Sequence, residues 1–518
     1  MPSLADRALR RVDAALTRVF GWRYHPLHQT GAVAVALLVT LIATGLYLLI
    51  FYRVGTPWTS VERLVADPYL GRWMRSLHRY ASDAMVVAVL AHVLRMFAQG
   101  RSWGPRALAW VSGVVLLVLV LISGWTGFVI VWDVFGARIA LAGARLFDAL
   151  PILSEPVHRV FSGERPIPGA FFFVNLFLHV AVPLGIGAGL WIHVSRLARP
   201  SLLPPRVLGW SLVAGLLVLA LVAPAPLPPH ADPFRIAASV PVDVFYAFWL
   251  QLVEWLPPLI GWGGALATLL LALAIPRLTK KPRDGANAPS VVDQRYCTGC
   301  NQCPQDCPWE AITMVARSDA RPTLVAQVDP SLCVSCGVCA GSCAPMSVGP
   351  EHRTGRDQLR DVRIAIDADA GKTSVVAIMC EHAPTSHADA VIAAGARLHR
   401  VNCTGNIHSS TVELFLRNDA AGVIIFSCPP RDCRGREGPK WLEQRLYHDR
   451  EAELQPRVDK RRVRLATAAG GDLPGTLSQL RAFLSDVHAL GAGERGPRDV
   501  PVDECEPVPV DPRRGKGS

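Results

Sequence analysis

Long apolar runs fill the first half of the chain, and the second half contains none of comparable length. Six runs are long enough to cross about 30 Å of hydrocarbon as helices, near residues 31–52, 76–97, 106–131, 170–195, 206–226 and 248–275. From about residue 276 the chain is polar and charged, with short strand-like and helix-like segments. The pattern predicts a bundle of six membrane helices followed by domains in water.

Basic residues lie on one side of these runs. They cluster before the first run and after the second, fourth and sixth, so the positive-inside rule places both chain ends in the cytoplasm. The net charge of +11 follows from this topology, and we do not expect nucleic acid as a partner. Residues 1–30 are expected to form a basic amphipathic segment at the cytoplasmic face of the inner membrane.

Four histidines inside the apolar runs form two matched pairs. Within each run the two histidines are 14 residues apart, which is about 21 Å along a helix and returns to nearly the same face. Two such helices running the same way can clamp two stacked haems between imidazoles, whereas the alternative is four unrelated histidines hydrogen-bonded in a bundle. The duplicated spacing favours haem, with His78 opposite His179 and His92 opposite His193.

With these histidines the membrane half resembles cytochrome b of the quinol-oxidising respiratory and photosynthetic complexes. In that family, glycines let the haems approach the helices, and the matching residues here are Gly31, Gly45, Gly113 and Gly127. The resemblance implies two haem b groups, quinone as a substrate and lipid around the bundle. It also makes a homodimer reasonable.

The resemblance also implies an outer quinone site. The stretch "PVDVFY" stands where the family has Pro-Glu-Trp-Tyr, so Asp243 and Tyr246 are the candidate catalytic residues. The family's proton-accepting glutamate is missing in register, and Asp243 either replaces it or caps the following helix. Arg75 and Arg79, near His78, either pair with haem propionates or are ordinary interfacial arginines.

All 13 cysteines lie in the second half, and eight of them form two C-x-x-C-x-x-C-x-x-x-C stretches at residues 297–307 and 333–343. This spacing wraps three thiolates around one [4Fe-4S] cube and gives the fourth to the neighbouring cube. Zinc, the alternative, usually takes two ligands from each short loop. The stretches resemble two-cluster bacterial ferredoxins, although Ala344 precedes Pro345 in the second. The predicted ligand sets are Cys297, Cys300, Cys303 and Cys343 for one cluster, and Cys333, Cys336, Cys339 and Cys307 for the other.

Three buried-strand patterns follow, each ending near a cysteine and each succeeded by a helix-like segment. This order predicts a parallel α/β sheet with its ligands beyond the carboxyl ends of the strands. Separate structural cysteines are the alternative. The segment resembles the delta, iron–sulfur subunit of methyl-viologen-reducing hydrogenase, and that resemblance implies one [2Fe-2S] cluster. Its expected ligands are Cys380, Cys403, Cys428 and Cys433.

The predicted fold is therefore multidomain: an all-α six-helix transmembrane bundle (residues 31–281), an α+β two-cluster ferredoxin (293–350) and an α/β parallel-sheet iron–sulfur domain (373–490). Residues 282–292 are expected to be a linker, 351–372 a charged connector and 491–518 a disordered tail that holds Cys505 as a bystander.

The expected function is that of a quinone-linked oxidoreductase subunit. Electrons would pass between quinone, two b haems and cytoplasmic clusters to a soluble flavin or iron–sulfur enzyme of the heterodisulfide reductase type. The flavin would belong to that partner, because the chain has no Gly-rich dinucleotide fingerprint. The alternative is a haem-containing membrane anchor or redox-sensing docking subunit without quinone turnover.

Overall fold

The computed structural model describes residues 4–151, 155–161, 167–195, 201–232, 243–250, 255–281, 287–319, 321–368, 374–448, 450 and 452–491. The predicted tail, with Cys505, lies outside these residues. The chain divides into two compact units, one of Gln29–Lys280 and one that joins Met1–His28 to Lys281–Ser518. The N-terminal segment therefore belongs to the same unit as the cysteine-bearing half.

The unit Gln29–Lys280 is helical. Its long helices are apolar on all sides, as expected for segments surrounded by lipid and by one another. In chain order the helices are α2 (Thr30–Phe51), α3 (Pro57–Ala66), α4 (Gly71–Ala98), α5 (Ala107–Val129), α6 (Val134–Asp148), α7 (Gly169–Ser195), α8 (Arg206–Val222) and α9 (Pro258–Leu278); α1 belongs to the other unit.

Five helical segments of the described chain are long and apolar enough to span a membrane. They are Pro26–Phe51, Gly71–Ala98, Gly104–Val129, Gly169–Ser195 and Pro258–Leu278. The predicted count of six is not confirmed, because Arg206–Val222 is apolar but shorter.

The last membrane helix begins later than the sequence pattern indicated. Residues 243–248 are described as turns and extended chain, and α9 begins at Pro258 directly after Pro257. Proline lacks the N–H that a helix interior requires but is tolerated in the first turn, which explains a helix start at this position. The described span therefore begins ten residues after the predicted start near residue 248, and residues 251–254 lie outside the described residues.

Two helix pairs form the centre of the membrane unit: α2 packs along α4, and α5 packs along α7. Buried apolar side chains between them include Leu37, Met85, Val120 and Ile186. The lipid-facing sides carry exposed apolar residues such as Ile50 and Leu184. This packing sets α4 and α7, the two helices with paired histidines, at the centre of the bundle.

The N-terminal helix α1 (Leu4–Phe20) packs on the iron–sulfur half of its unit. Arg434 donates to the Asp6 carboxylate at 2.9 Å, and Arg10 donates to the His382 carbonyl at 3.0 Å. Near the middle of α1 the backbone of Ala14 lies so close to Gly471 that a Cβ there would be 2.3 Å from the Ala14 carbonyl oxygen. The predicted basic amphipathic segment is thus a helix with one face docked on protein.

Residues 287–349 contain two short antiparallel sheets and two short helices. Strand β1 (Val291–Val292) pairs with β4 (Val348–Gly349), and β2 (Ile312–Val315) pairs with β3 (Val325–Val328). The helices α10 (Gln302–Asp306) and α11 (Val338–Gly341) each lie within a cysteine stretch. Because β1 closes the first sheet, residues 291–292 are part of this domain and not of the predicted linker.

The last domain contains the predicted parallel sheet, which has four strands where the sequence showed three strand patterns. Its strands are β5 (Val375–Cys380), β6 (Arg397–Val401), β7 (Gly422–Ser427) and β8 (Val463–Thr467), in the order β6-β5-β7-β8. Three helices connect these strands, α13 (Thr385–Ala393), α14 (Ser409–Arg417) and α15 (Gly438–Tyr447), and α16 (Leu473–Ala489) follows the last strand. Strands β5 and β7 are buried along their whole length, which explains their unbroken apolar sequences.

The predicted charged connector is mostly the helix α12 (Gly355–Ala368), which packs against α14. Val362 is buried in the core of the last domain, and Ile366 packs against that core. Charged residues on the exposed face of α12 masked this short apolar stripe in the sequence. The connector prediction is therefore corrected: these residues are part of the last domain.

Candidate redox sites

The structure brings the membrane histidines together in two pairs across α4 and α7. The ring centres of His78 and His179 are 6.3 Å apart, and those of His92 and His193 are 6.4 Å apart. Two imidazoles bound on opposite sides of one metal ion by bonds of about 2 Å have centres roughly 6 Å apart. Both pairs therefore have the separation that axial ligation of a haem iron requires.

The four glycines predicted to lie beside the haems, two on α2 and two on α5, each face one of these histidines. A Cβ added to Gly45 would lie 3.2 Å from the His78 ring, and one added to Gly127 would lie 2.8 Å from the His179 ring. Gly31 and Gly113 stand in the same relation to His92 and His193, at 3.1 and 3.3 Å. Any side chain larger than glycine would enter the space beside the imidazoles, which is the space that a macrocycle needs.

A hydroxyl residue precedes each of these glycines and contacts Nδ1 of the same histidine. The distances are 3.1 Å for Thr30 to His92, 2.8 Å for Thr44 to His78, 3.0 Å for Ser112 to His193 and 3.4 Å for Thr126 to His179. Sequence reasoning missed these residues, although the repeated Ser/Thr-Gly dipeptide was a visible signal.

These hydroxyls fix the orientation of the imidazoles. Thr44 donates its own proton to the Thr40 carbonyl at 2.8 Å, and Ser112 donates to the Ala109 carbonyl at 3.1 Å. Their oxygen lone pairs are then free to accept from the imidazole Nδ1–H, which leaves Nε2 unprotonated for a metal. His179 has a second acceptor, the Ser123 carbonyl at 2.8 Å from its Nδ1.

Asp243 and Tyr246, the candidate outer quinone residues, lie together beside α4. The Asp243 Oδ1 accepts from the backbone N–H groups of Phe245, Tyr246 and Ala247, as a helix cap does, and its Oδ2 accepts from Arg79 at 2.5 Å. The Tyr246 hydroxyl lies 2.7 Å from the Ser82 hydroxyl. The capping alternative for Asp243 therefore has direct contacts, while its role as a proton acceptor stays a prediction.

Sequence reasoning missed a second carboxylate in this group. Asp83, one turn after Arg79 on α4, forms an ion pair with it, so Arg79 lies between two carboxylates. Arg75 donates to the carbonyls of Ala225 at 2.7 Å and Pro226 at 3.2 Å. Propionate binding by Arg75 and Arg79 stays a prediction.

In the second unit, the two cysteine stretches fold alike. Two positions after its first cysteine, each stretch has a left-handed residue: Gly299 has a φ of +80° and Ser335 a φ of +61°. Asn301 and Gly337, two residues further along, also have positive φ values. Left-handed residues at matching positions curl each loop around its cysteines. The fourth cysteines also match, because Cys307 and Cys343 each accept a backbone N–H from the residue four positions later, at 3.3 and 3.2 Å.

The thiols of these stretches are close enough to affect one another's ionisation. Burial, with the neighbouring thiols of Cys343, Cys300 and Cys297, raises the pKa of Cys303. Burial, with Cys307, Cys403 and Cys333 nearby, raises the pKa of Cys336 to about 12. Thiolates gathered in this way suit a cationic iron–sulfur core, while the division of the eight cysteines into two ligand sets stays a prediction.

The four cysteines of the last domain form one buried cluster at the carboxyl ends of the strands. The Cys428 and Cys380 sulfurs are 3.6 Å apart. A Cβ on Gly438 would lie 3.2 Å from the Cys403 sulfur and 3.3 Å from the Cys433 sulfur, so this glycine keeps space open beside them. The arrangement fits a cluster with four thiolate ligands.

A further group of potential ligands lies at Asp13, His25 and His28, whose donor atoms are within 4.8 Å of one another. The rings of His25 and His28 are stacked, with centres 3.9 Å apart and planes inclined by 14°. Lone pairs in two nearly parallel ring planes do not converge on one point. We therefore assign no metal to this group.

Three family models match successive parts of the chain. Residues 23–199 match "Cytochrome b/b6/petB", residues 296–345 match "4Fe-4S dicluster domain", and residues 375–491 match "Methyl-viologen-reducing hydrogenase, delta subunit". The chain joins a cytochrome b domain to two iron–sulfur domains. All three predicted resemblances are confirmed, and the chain is an integral membrane electron-transfer protein.

Curated relatives of the cytochrome b domain include two proteins named "Menaquinol:cytochrome c reductase cytochrome b subunit". The one from Geobacillus thermodenitrificans is 26% identical over 173 residues, which is 32% of this chain and 77% of the relative. The one from Bacillus subtilis is 27% identical over the same shares. "Cytochrome b6" of Porphyra purpurea is 35% identical over 135 residues, 26% of this chain and 62% of the relative.

One solved structure that is similar to this chain is "Hyperthermophilic respiratory Complex III". The aligned region covers 49% of this chain and 75% of that chain, at 15% sequence identity. The TM-score of 0.41 is too low to support an inference.

Proposed function

We propose that this chain exchanges electrons between membrane quinone and a soluble oxidoreductase in the cytoplasm, through two b haems, two [4Fe-4S] clusters and one [2Fe-2S] cluster. The observation that carries the proposal is the presence, in one chain, of two histidine pairs at haem-ligating separation and three groups of converging cysteines. Each haem or iron–sulfur cluster accepts and releases one electron when these residues bind it. The chain's own residues orient the ligands and exclude water.

On the membrane side, His78 and His179 hold the outer haem, and His92 and His193 hold the inner one. The helix Arg206–Val222 acts as a further span, since 17 residues reach roughly 25 Å, so that both chain ends and the iron–sulfur domains face the cytoplasm. Asp243, Asp83 and Tyr246 form the outer quinone site, where a carboxylate takes the proton that quinol releases. The names of the menaquinol-oxidising relatives support quinone as the substrate.

On the soluble side, Cys380, Cys403, Cys428 and Cys433 would hold the cluster that supplies electrons to a flavin or iron–sulfur enzyme of the heterodisulfide reductase type. The match to a hydrogenase delta subunit supports a partner of this class. A homodimer is proposed from the cytochrome b resemblance.

The test is a set of spectra from the purified full-length protein, oxidised, then reduced with menaquinol, then with dithionite. We expect optical bands of two b haems, reduction of part of the haem by menaquinol, and electron paramagnetic resonance signals from the clusters. His92→Ala should remove one haem and abolish menaquinol-dependent cluster reduction, whereas His158→Ala, in the surface pair with Asp148, should change neither. Haem that menaquinol does not reduce would support the anchor instead.

A further inference from the structure

The cysteine group of the last domain adjoins the dicluster domain at Gly435. A Cβ placed on Gly435 would lie 3.6 Å from the Cys336 Cβ, 3.6 Å from the Cys403 sulfur and 3.9 Å from the Cys433 sulfur. The Cys336 Cβ and the Cys403 sulfur are therefore no further apart than the sum of the first two distances. Gly435, which has no side chain, thus lies next to a predicted [4Fe-4S] ligand and next to two ligands of the last group.

This contact selects one of the two dicluster sites. Cys336 belongs to the ligand set with Cys333, Cys339 and Cys307, and its thiol has Cys307, Cys333 and Cys403 as neighbours. The thiol of Cys303, from the other set, has Cys343, Cys300 and Cys297 nearby, and it is also a neighbour of Cys339 in the second set. The three groups thus lie in a fixed sequence, with the Cys336 group in the middle.

Three arginines fasten the two domains together around this contact. Arg436 donates to the Pro308 carbonyl at 2.9 Å, next to Cys307. Arg353 donates to the Ser335 carbonyl at 3.2 Å, next to Cys336, and to the Asn402 side chain at 2.6 Å, next to Cys403.

The third arginine, Arg445, is only 1% exposed and donates to the Ser342 hydroxyl and to the carbonyls of Gly405 and Ile407 at 2.8–3.2 Å. A buried cation is costly unless its hydrogen bonds are satisfied, and it favours negative charge nearby. Arg445 therefore both fixes the spacing of the domains and favours the reduced state of the groups beside it.

We propose that electrons cross between the second [4Fe-4S] cluster and the cluster of the last domain directly at Gly435, so that the delta-subunit-type domain exchanges electrons with a cluster of its own chain. In this step one electron would leave the reduced cluster held by Cys333, Cys336, Cys339 and Cys307 and enter the oxidised cluster held by the last four cysteines, with no bond made or broken. The proposal deepens the proposed function and rests on the presence of the clusters assigned there.

The experiment compares Gly435→Leu with Gly435→Ala in the full-length protein. The Cβ of alanine meets its neighbours at ordinary van der Waals distances of 3.6–3.9 Å, whereas the larger side chain of leucine must push Cys336 and Cys403 apart. In dithionite-reduced wild-type protein and in Gly435→Ala, we expect magnetic interaction between two paramagnetic clusters. Where it keeps its iron, Gly435→Leu should weaken this magnetic interaction and slow the transfer of an electron between the two clusters.

A second pair of variants keeps the proposal testable if Gly435→Leu loses iron. Cys339→Ala should abolish the magnetic interaction of the last cluster, because it removes the neighbour, and Cys303→Ala should preserve it. An interaction that survives Cys339→Ala or disappears in Cys303→Ala would overturn the proposed order. Absence of all cluster signals from the wild-type protein would instead overturn the proposed function.

Discussion

Replacing Thr44 with valine should raise the midpoint potential of the haem assigned to His78 and His179. Thr44 is buried, its hydroxyl donates to the Thr40 carbonyl, and its oxygen lies 2.8 Å from Nδ1 of His78. Oxidised iron draws electron density from the imidazole and makes the Nδ1–H a stronger donor. The hydrogen bond therefore stabilises the oxidised haem more than the reduced haem, and its loss favours reduction.

The size of the shift follows from the value of one hydrogen bond. A net intramolecular hydrogen bond contributes about 0.5–1.5 kcal/mol. If about half of this depends on the oxidation state of the iron, the midpoint potential rises by roughly 10–30 mV, since about 1.4 kcal/mol corresponds to 59 mV for one electron. Valine has nearly the shape of threonine, so the change of packing is small.

The structure supplies a control on the other side of the same haem. Nδ1 of His179 lies 3.4 Å from the Thr126 hydroxyl but 2.8 Å from the Ser123 carbonyl, so the carbonyl is its nearer acceptor, whereas Nδ1 of His78 is 2.8 Å from the Thr44 hydroxyl. We expect Thr126→Val and Thr44→Ser to shift the potential little. Optical redox titrations of the purified protein measure both haems at once. An unchanged midpoint in Thr44→Val, or an equal shift in Thr126→Val, would refute this reasoning.

Three further predictions concern other parts of the chain. Gly127→Val should remove the haem of His78 and His179 and halve the haem absorbance, because a Cβ on residue 127 would lie 2.8 Å from the His179 ring. The control Gly187→Val should keep both haems, because a Cβ on residue 187 would have no other atom within 4 Å. Asp6→Arg should release helix α1 and speed its cleavage by trypsin, and adding Arg434→Glu should restore protection, because Asp6 is buried against Arg434. Arg445→Met should lower the midpoint potentials of the neighbouring clusters in a titration monitored by electron paramagnetic resonance, because a buried positive charge is lost, while Arg464→Met, in an exposed pair with Asp486, should not.

Much of the architecture could be predicted because lipid and iron impose strict demands on sequence. A membrane helix needs a long apolar run, and a cluster needs cysteines at fixed spacing, so both leave local patterns. The parallel sheet was predictable for the same reason, since strands such as Val375–Cys380 are buried on both faces. The histidine pairing followed from two equal spacings on two helices.

The features that were missed depend on contacts between distant parts of the chain. Thr44 and Ser112 are ordinary residues in an apolar helix until the fold sets them against His78 and His193. Helix α1 looked like a free basic segment because the residues that hold it, Arg434 and Gly471, lie more than 400 positions away. The contact at Gly435 likewise joins two motifs that the sequence presents separately.

The spacing of the haem sites determines how the proposed electron path couples to the membrane potential. Fourteen residues separate the histidines on both helices, which is about 21 Å, or roughly two-thirds of a hydrocarbon core of about 30 Å. An electron moving between the two haems would therefore cross a potential worth about 1.5 kcal/mol per 100 mV. In the proposed orientation, flow from the outer to the inner haem moves negative charge towards the negative side and is opposed. Flow from the clusters outward is favoured, so an energised membrane drives electrons from the soluble partner towards the outer quinone site and resists the reverse.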